Sequence, residues 1–287
     1  MLISLLREAV MALLEYHDLQ VQDIPTCLGR LRVRSVGDGP AMVFWSSLLM
    51  DARMWMAQVR YFSPRYRVVL INPPGHGDSE ALSRAFTFAE CARCVSEVLD
   101  GLGIERCTFV GNSWGGMIGG TFAAMYPARV EAAVLMNCTA SPAGWRHRLE
   151  FPLLAVVIRL LGGFRLGMVG TATRAFVGPT TERERPEAIA RIHQALAMCD
   201  VDSIAWAVDS VVPKRPDQRG LLAGIRTPVL VVAGEEDRTF AVAQTRAMAQ
   251  VIPGAAFVVM KRTAHLAALE NPDEVNGLIE GFLGRVR

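Results

Sequence analysis

Val110-Gly111-Asn112-Ser113-Trp114-Gly115-Gly116 is the stretch that decides the fold. It is a G-x-S-x-G sequence, with the strand-like run Arg106–Val110 before it and a helical pattern, Trp114–Met125, after it. A chain that passes from strand to helix within one residue strains that residue's backbone and crowds its neighbours. Gly111 and Gly115 leave out the Cβ atoms that would clash. Ser113 is therefore expected at the carboxyl end of a strand, above a helix N-terminus, where a nucleophile is exposed to solvent and substrate.

Outward from this turn, short β-branched runs alternate with longer helical patterns. Leu31–Val36 and Ala41–Trp45 read as strands joined by Gly37-Asp38-Gly39-Pro40, and Arg67–Ile71 as the next strand. A helix is expected from about Thr87 to Leu102, then strands at Arg106–Val110 and Val130–Met136. The alternation resumes with strand Pro228–Ala233, helix Val242–Val251, strand Ala256–Met260 and a closing helix. This order predicts an α/β fold, a mostly parallel sheet with helices on both faces. Between about Ala140 and Gly220 the pattern is helical throughout, with Phe151–Leu161, Leu166–Phe176, Pro186–Cys199 and Asp202–Val211 as helices. The expected division is an N-terminal helical extension at 1–20, a core at 21–140 and 216–287, and an all-helical cap or lid at 141–215 over the strand ends.

A serine hydroxyl near neutral pH needs a base, and the base needs an orienting acid. Of the five histidines, His17 lies in the extension, and His76 sits in the turn Pro74-Gly75-His76-Gly77, suited to local hydrogen bonding. His147 and His193 fall in the helical insertion. His265 follows the last strand at a loop entering the final helix, from which an imidazole reaches a strand-end nucleophile. For the acid, strand Val229–Ala233 runs into Gly234-Glu235-Glu236-Asp237. Asp237 is expected by its spacing from Gly234, with Glu236 the alternative. The oxyanion hole needs two backbone N–H groups. Trp114 supplies one and Leu48, in the loop Ser46-Ser47-Leu48-Leu49-Met50-Asp51, the other.

At these residues the chain resembles the α/β-hydrolase superfamily from residue 28 onward, and the order Ser113, Asp237, His265 is that of the superfamily. Leu48-Leu49-Met50-Asp51-Ala52-Arg53-Met54-Trp55, Gly111–Gly119 and Ala264-His265-Leu266-Ala267-Ala268-Leu269-Glu270-Asn271-Pro272 are similar to the 3-oxoadipate enol-lactonase and small-esterase branch. The chain departs from most members in carrying Ser46-Ser47 in place of His-Gly, a bulky Trp114 after the serine, and Ala264 before the histidine. The resemblance implies hydrolysis of a small, largely apolar carboxylic ester or lactone through an acyl-enzyme. Trp145, Phe151, Phe164, Phe176 and Trp206 are candidate substrate-binding walls in the lid. Two other readings stay open. One is carbon–carbon bond hydrolysis of a vinylogous diketone, with Arg146, Arg148, Arg174 or Arg191 meeting a substrate carboxylate. The other is a non-catalytic ligand receptor on the same fold.

Composition narrows the partners. The 287 residues are 51% hydrophobic and 20% charged, with a net charge of +2 and no basic run that would mark a nucleic-acid or anionic-membrane footprint. The six cysteines are scattered, and Cys91-Ala-Arg-Cys94 has no second pair at zinc spacing, so it reads as two buried thiols one turn apart. No cofactor and no metal are expected, and a reducing cytoplasm is the expected compartment. The apolar stripe Leu2, Leu5, Leu6, Ala9, Val10, Leu13, Leu14 fits a helix rather than a signal peptide or a membrane span. It is expected to dock on the body of the protein or to join two copies in a homo-oligomer.

Overall fold

Met42, Val43, Phe44 and Trp45 have no exposed surface at all. Consecutive side chains of a strand point to opposite faces, so a continuous apolar run of this kind requires a strand covered on both sides. In the computed structural model, which describes residues 13–163 and 167–286, this run is the strand β3, Ala41–Trp45. With β1 (Gln20–Thr26), β2 (Gly29–Val36), β4 (Arg67–Ile71), β5 (Cys107–Asn112), β6 (Val130–Met136), β7 (Val229–Gly234) and β8 (Ala256–Met260), it forms one sheet. The strand order is β1-β2-β4-β3-β5-β6-β7-β8. The pairs β1–β2 and β2–β4 are antiparallel, and every pair from β4–β3 to β7–β8 is parallel.

The expected mostly parallel α/β sheet is thus observed, with one strand more than the sequence patterns indicate. β1 escapes a periodicity reading because it is an edge strand with only Ile24 buried, and it carries Asp23 and Pro25. Proline and charge are what an edge tolerates and what keeps it from pairing with another chain. Asp23 answers Arg32 on the neighbouring strand through a 3.0 Å bond to Nη2.

Helices α1 (Met56–Phe62), α2 (Phe88–Gly101) and α3 (Trp114–Met125) cover the first half of the sheet. In α2 the Thr87 and Glu90 side chains form a reciprocal cap, and Phe88, Cys91, Ala92, Val95, Val98 and Leu99 make the buried stripe. Cys91 and Cys94 lie on that buried face, and burial pushes both thiols up, Cys94 to about 12.

Between β6 and β7 run α4 (Trp145–Leu160), α5 (Met168–Phe176), α6 (Pro179–Glu184), α7 (Pro186–Ala197), α8 (Val201–Val211) and α9 (Arg219–Leu222). No strand occurs among the described residues of this stretch. The short α6 is absent from the sequence reading, since six residues are too few to show a period. After β7 come α10 (Val242–Val251), α11 (Ala267–Glu270) and α12 (Pro272–Val286). Residues 1–12 of the expected N-terminal helix lie outside the described residues. Leu13 is exposed, and Tyr16–Asp18 is a single 3₁₀ turn leading into β1. Among the described residues no helix is long and apolar enough to cross a membrane.

Candidate active site

Ser113 is the single residue between β5 and α3, with φ 56° and ψ −115°. A side chain rarely adopts that backbone, and it persists only where the surroundings enforce it. Here they do. A Cβ on Gly111 would run into the Gly115 carbonyl, and one on Gly115 into the carbonyl of Trp45. The Ser113 N–H donates to the Met136 carbonyl at 2.8 Å, and the Ser113 carbonyl accepts from Met117 at 3.0 Å. The turn is therefore clamped from β3, β6 and α3 together.

The three residues expected to act together are brought together. His265 Nε2 lies 2.7 Å from Ser113 Oγ, and His265 Nδ1 lies 2.9 Å from Asp237 Oδ2. Asp237 Oδ1 accepts the N–H groups of Thr239 at 2.7 Å and Phe240 at 3.0 Å. Those bonds fix the carboxylate as acceptor, so Nδ1 carries the proton and Nε2 faces the serine as acceptor. Glu236, the alternative acid, turns away: its carboxylate accepts the N–H and hydroxyl of Thr180 at 2.9 and 2.6 Å.

Three further side chains build this arrangement, none of them singled out by the sequence patterns. Asn137, at the end of β6 with φ 51°, donates to Asp237 Oδ2 at 3.1 Å and to the Ala264 carbonyl at 2.7 Å. Asn112 donates to the His265 carbonyl at 2.8 Å and to Ser47 Oγ at 2.9 Å. Glu270 accepts the N–H of Ala264 at 3.1 Å and of Leu266 at 2.8 Å, the two amides that flank His265, and also the Thr181 hydroxyl. Burial raises the Glu270 carboxyl above its ordinary value, although these donors pull the other way.

Leu48 lines the same cavity as Ser113, and Trp114 is the residue that follows the serine. Trp114 opens α3, so its N–H is one of the helix's unpaired first donors. Leu48 sits in the turn after β3, and its N–H has no acceptor among the described residues. The next residue, Leu49, has φ 68°, and its N–H donates to His76 Nε2 at 3.1 Å. His76 Nδ1 in turn donates to the Pro74 carbonyl at 2.9 Å. Burial pushes His76 down to about 4, so the ring is neutral and can accept from Leu49. The bulk of Trp114 has a place as well: its ring packs against Trp45, His76 and Phe86 with centroids 5.5, 5.3 and 5.5 Å away.

Above the serine opens a cavity of about 610 Å³, lined chiefly by apolar residues, with Leu48, Ser113, Phe151, Phe176, Arg215 and His265 on its wall. Of the expected walls, Phe151 and Phe176 face it, and Phe176 stacks on His265 at 5.7 Å. Trp145 and Trp206 do not. α4 turns His147, Phe151, Leu154 and Ile158 inward, and Trp145 stands 69% exposed on the outer face with Leu149, Leu153 and Leu160. α8 turns Val208 and Val211 inward, while Trp206 packs on the core under the Arg159 guanidinium, 4.4 Å away. Helical phase, which an aromatic residue's identity does not reveal, separates the two groups. Phe164 lies outside the described residues. Arg146, Arg148, Arg174 and Arg191 are all exposed and off the cavity wall.

Comparison with known proteins agrees with this architecture. The sequence profile of the alpha/beta hydrolase fold matches residues 40–272. 3-Oxoadipate enol-lactonase 2 of Acinetobacter baylyi is 29% identical over 252 residues, covering 86% of this chain and 90% of its own length. A 2-hydroxy-6-oxononadienedioate/2-hydroxy-6-oxononatrienedioate hydrolase of Paraburkholderia phymatum is 28% identical over 87% of this chain and 85% of its own. Among solved structures, a thermophilic esterase from Thermogutta terrifontis with malate bound superposes with a TM-score of 0.86 at 25% identity, covering 93% of this chain and 99% of its own. The chain is a member of the α/β-hydrolase family.

Proposed function

We propose that this hydrolase cleaves small, largely apolar carboxylic esters or lactones with Ser113 as nucleophile, His265 as general base and Asp237 as the orienting acid. The observation that carries the reading is the continuous hydrogen-bond chain from Ser113 Oγ through the His265 imidazole to Asp237 at 2.7 and 2.9 Å, on the floor of an apolar cavity. Ser113 Oγ attacks the carbonyl carbon as His265 Nε2 takes its proton, and the N–H groups of Leu48 and Trp114 hold the developing oxyanion. The leaving alkoxide departs with that proton and leaves an acyl-serine. Water, deprotonated by the same imidazole, then releases the acid and restores the serine. Residues 141–215 act as the cap, their inward faces setting which acyl chain fits.

The test is a fluorophosphonate probe together with turnover of 4-nitrophenyl butanoate. Wild type is labelled once per chain. Ser113→Ala is not labelled and loses on the order of a millionfold in kcat. Persistent labelling of the variant would place the nucleophile elsewhere. The relative that hydrolyses an oxononadienedioate supports carbon–carbon hydrolysis as the second reading. A vinylogous diketone turned over faster than any ester or lactone would favour it.

A further inference from the structure

Arg215 lies between α8 and α9, with only 7% of its surface exposed, on the wall of the cavity that holds Ser113 and His265. Its Nε donates to the Ser141 carbonyl at 3.0 Å, and its own carbonyl accepts from Ala143 at 3.2 Å. These two bonds tie the end of the helical insertion to its beginning and use one of the five N–H groups of the guanidinium. Among the described residues the four N–H groups of Nη1 and Nη2 have no acceptor, and no carboxylate pairs with the side chain. The guanidinium stands over the Phe240 ring, with Cζ 5.3 Å from the centroid, and the same ring centroid is 5.7 Å from that of the His265 imidazole. Phe240 thus neighbours both the Arg215 guanidinium and the His265 imidazole.

A buried charge without a counter-ion is costly, and burial alone holds Arg215 down to about 10. Arg238, the other arginine on the cavity wall, differs in both respects: it is exposed and bonds to Glu182 at 3.2 Å. Arg215 thus brings to the wall of a largely apolar cavity a planar fork of donors without acceptors among the described residues. That fork matches a carboxylate by two parallel hydrogen bonds.

We propose that Arg215 is the specificity-determining residue for a free carboxylate on the substrate, so that the preferred ester or lactone carries an acid group remote from the bond that is cleaved. This rests on the hydrolytic reading above and narrows it: the apolar wall takes the carbon chain and Arg215 takes its charged end. The other cation on the wall, Arg238, already has a carboxylate partner in Glu182. The reaction leaves Arg215 unchanged, and the carboxylate stays bound to it through both acylation and deacylation.

The experiment compares matched pairs, the mono-4-nitrophenyl esters of glutaric and adipic acid against 4-nitrophenyl pentanoate and hexanoate. Wild type is expected to favour the acid of each pair in kcat/KM. Arg215→Met should lower the acid-to-neutral ratio of kcat/KM about 10- to 100-fold, mostly through KM on the acids. Arg215→Lys should recover part of the loss. A second arm does not depend on turnover: glutarate is titrated calorimetrically into Ser113→Ala and into Ser113→Ala with Arg215→Met. Binding to the first and not the second supports the carboxylate site even if ester hydrolysis itself fails. Equal loss on acid and neutral esters, no glutarate binding to Ser113→Ala, or inorganic phosphate binding as tightly as glutarate would each overturn it.

Discussion

The amide of Leu49 donates to Nε2 of His76 across 3.1 Å. A turn that follows β3 is thereby fastened to the turn that follows β4, and the residue held, at φ 68°, is the neighbour of the expected oxyanion donor Leu48. Replacing the ring releases this turn while leaving Ser113, His265 and Asp237 untouched. His76→Ala is expected to lower kcat on 4-nitrophenyl butanoate about 10- to 100-fold, short of the loss of a whole oxyanion donor, with KM changed little. Steady-state kinetics decide it. An unchanged kcat would mean that the Leu48 turn holds itself.

His76 also makes a pH-dependent contribution to stability. Its imidazole is pushed to about 4 in the fold, whereas the unfolded chain titrates near 6.5. Between those values the unfolded state binds a proton that the folded state refuses, so stability falls as pH drops from about 6.5 towards 4 and is fully present above 6.5. The size is on the order of 3 kcal/mol from the linkage of that displacement. Denaturant melts of wild type and His76→Asn across this window should show a shallower fall in the variant. Parallel curves would assign the acid sensitivity to other groups.

For the acid, Asp237→Asn should reduce kcat by about 10⁴, because an amide at that place favours the wrong imidazole tautomer. Glu236→Gln should leave kcat within a few fold and act instead on the anchorage of α6 through Thr180. A crippled Glu236→Gln beside a mild Asp237→Asn would reverse the assignment.

Glu270 holds the two amides on either side of His265. Glutamine has one carbonyl oxygen for these two donors, and a buried amide left unpaired costs about 1–3 kcal/mol. Glu270→Gln should therefore lower the melting temperature by several degrees and reduce kcat more than it raises KM. Crystallography or fluorophosphonate labelling rates would report whether the imidazole has moved. Wild-type stability together with wild-type kcat would contradict the role.

Residues whose place is set by local chain geometry were legible in the sequence. Ser113 stands out because the glycines around it follow from a one-residue turn, and Asp237 and His265 because each closes a strand that announces itself by β-branched residues. Asn137, Asn112 and Glu270 gave no such signal. Asn112 and Asn137 act by reaching the backbone around His265 from β5 and from the end of β6, which depends on how the strands pack rather than on any spacing along the chain. Glu270 instead accepts amides only four and six residues before it, a local bond that no side-chain pattern marks. Nothing in the sequence distinguishes Arg215 from the other arginines, because its burial and its lack of a carboxylate partner among the described residues arise only in the fold. Trp145 and Trp206 mark the opposite error: large aromatic residues in the right segment, placed by helical phase on the wrong face. β1 was hidden because an edge strand need not be apolar.

Gly115 lies so close to the Trp45 carbonyl that its α-carbon can carry hydrogen and nothing more. The turn that carries Ser113 is thus specified by atoms that are missing, and a position of that kind has no second-best residue. The ceiling is specified by atoms that are present, side chains such as Phe151 and Val211 that meet other side chains and can be exchanged by small steps. Tolerance to substitution along this chain is therefore expected to be uneven, least at the glycines of the Ser113 turn and greater at the inward faces of the helices above it.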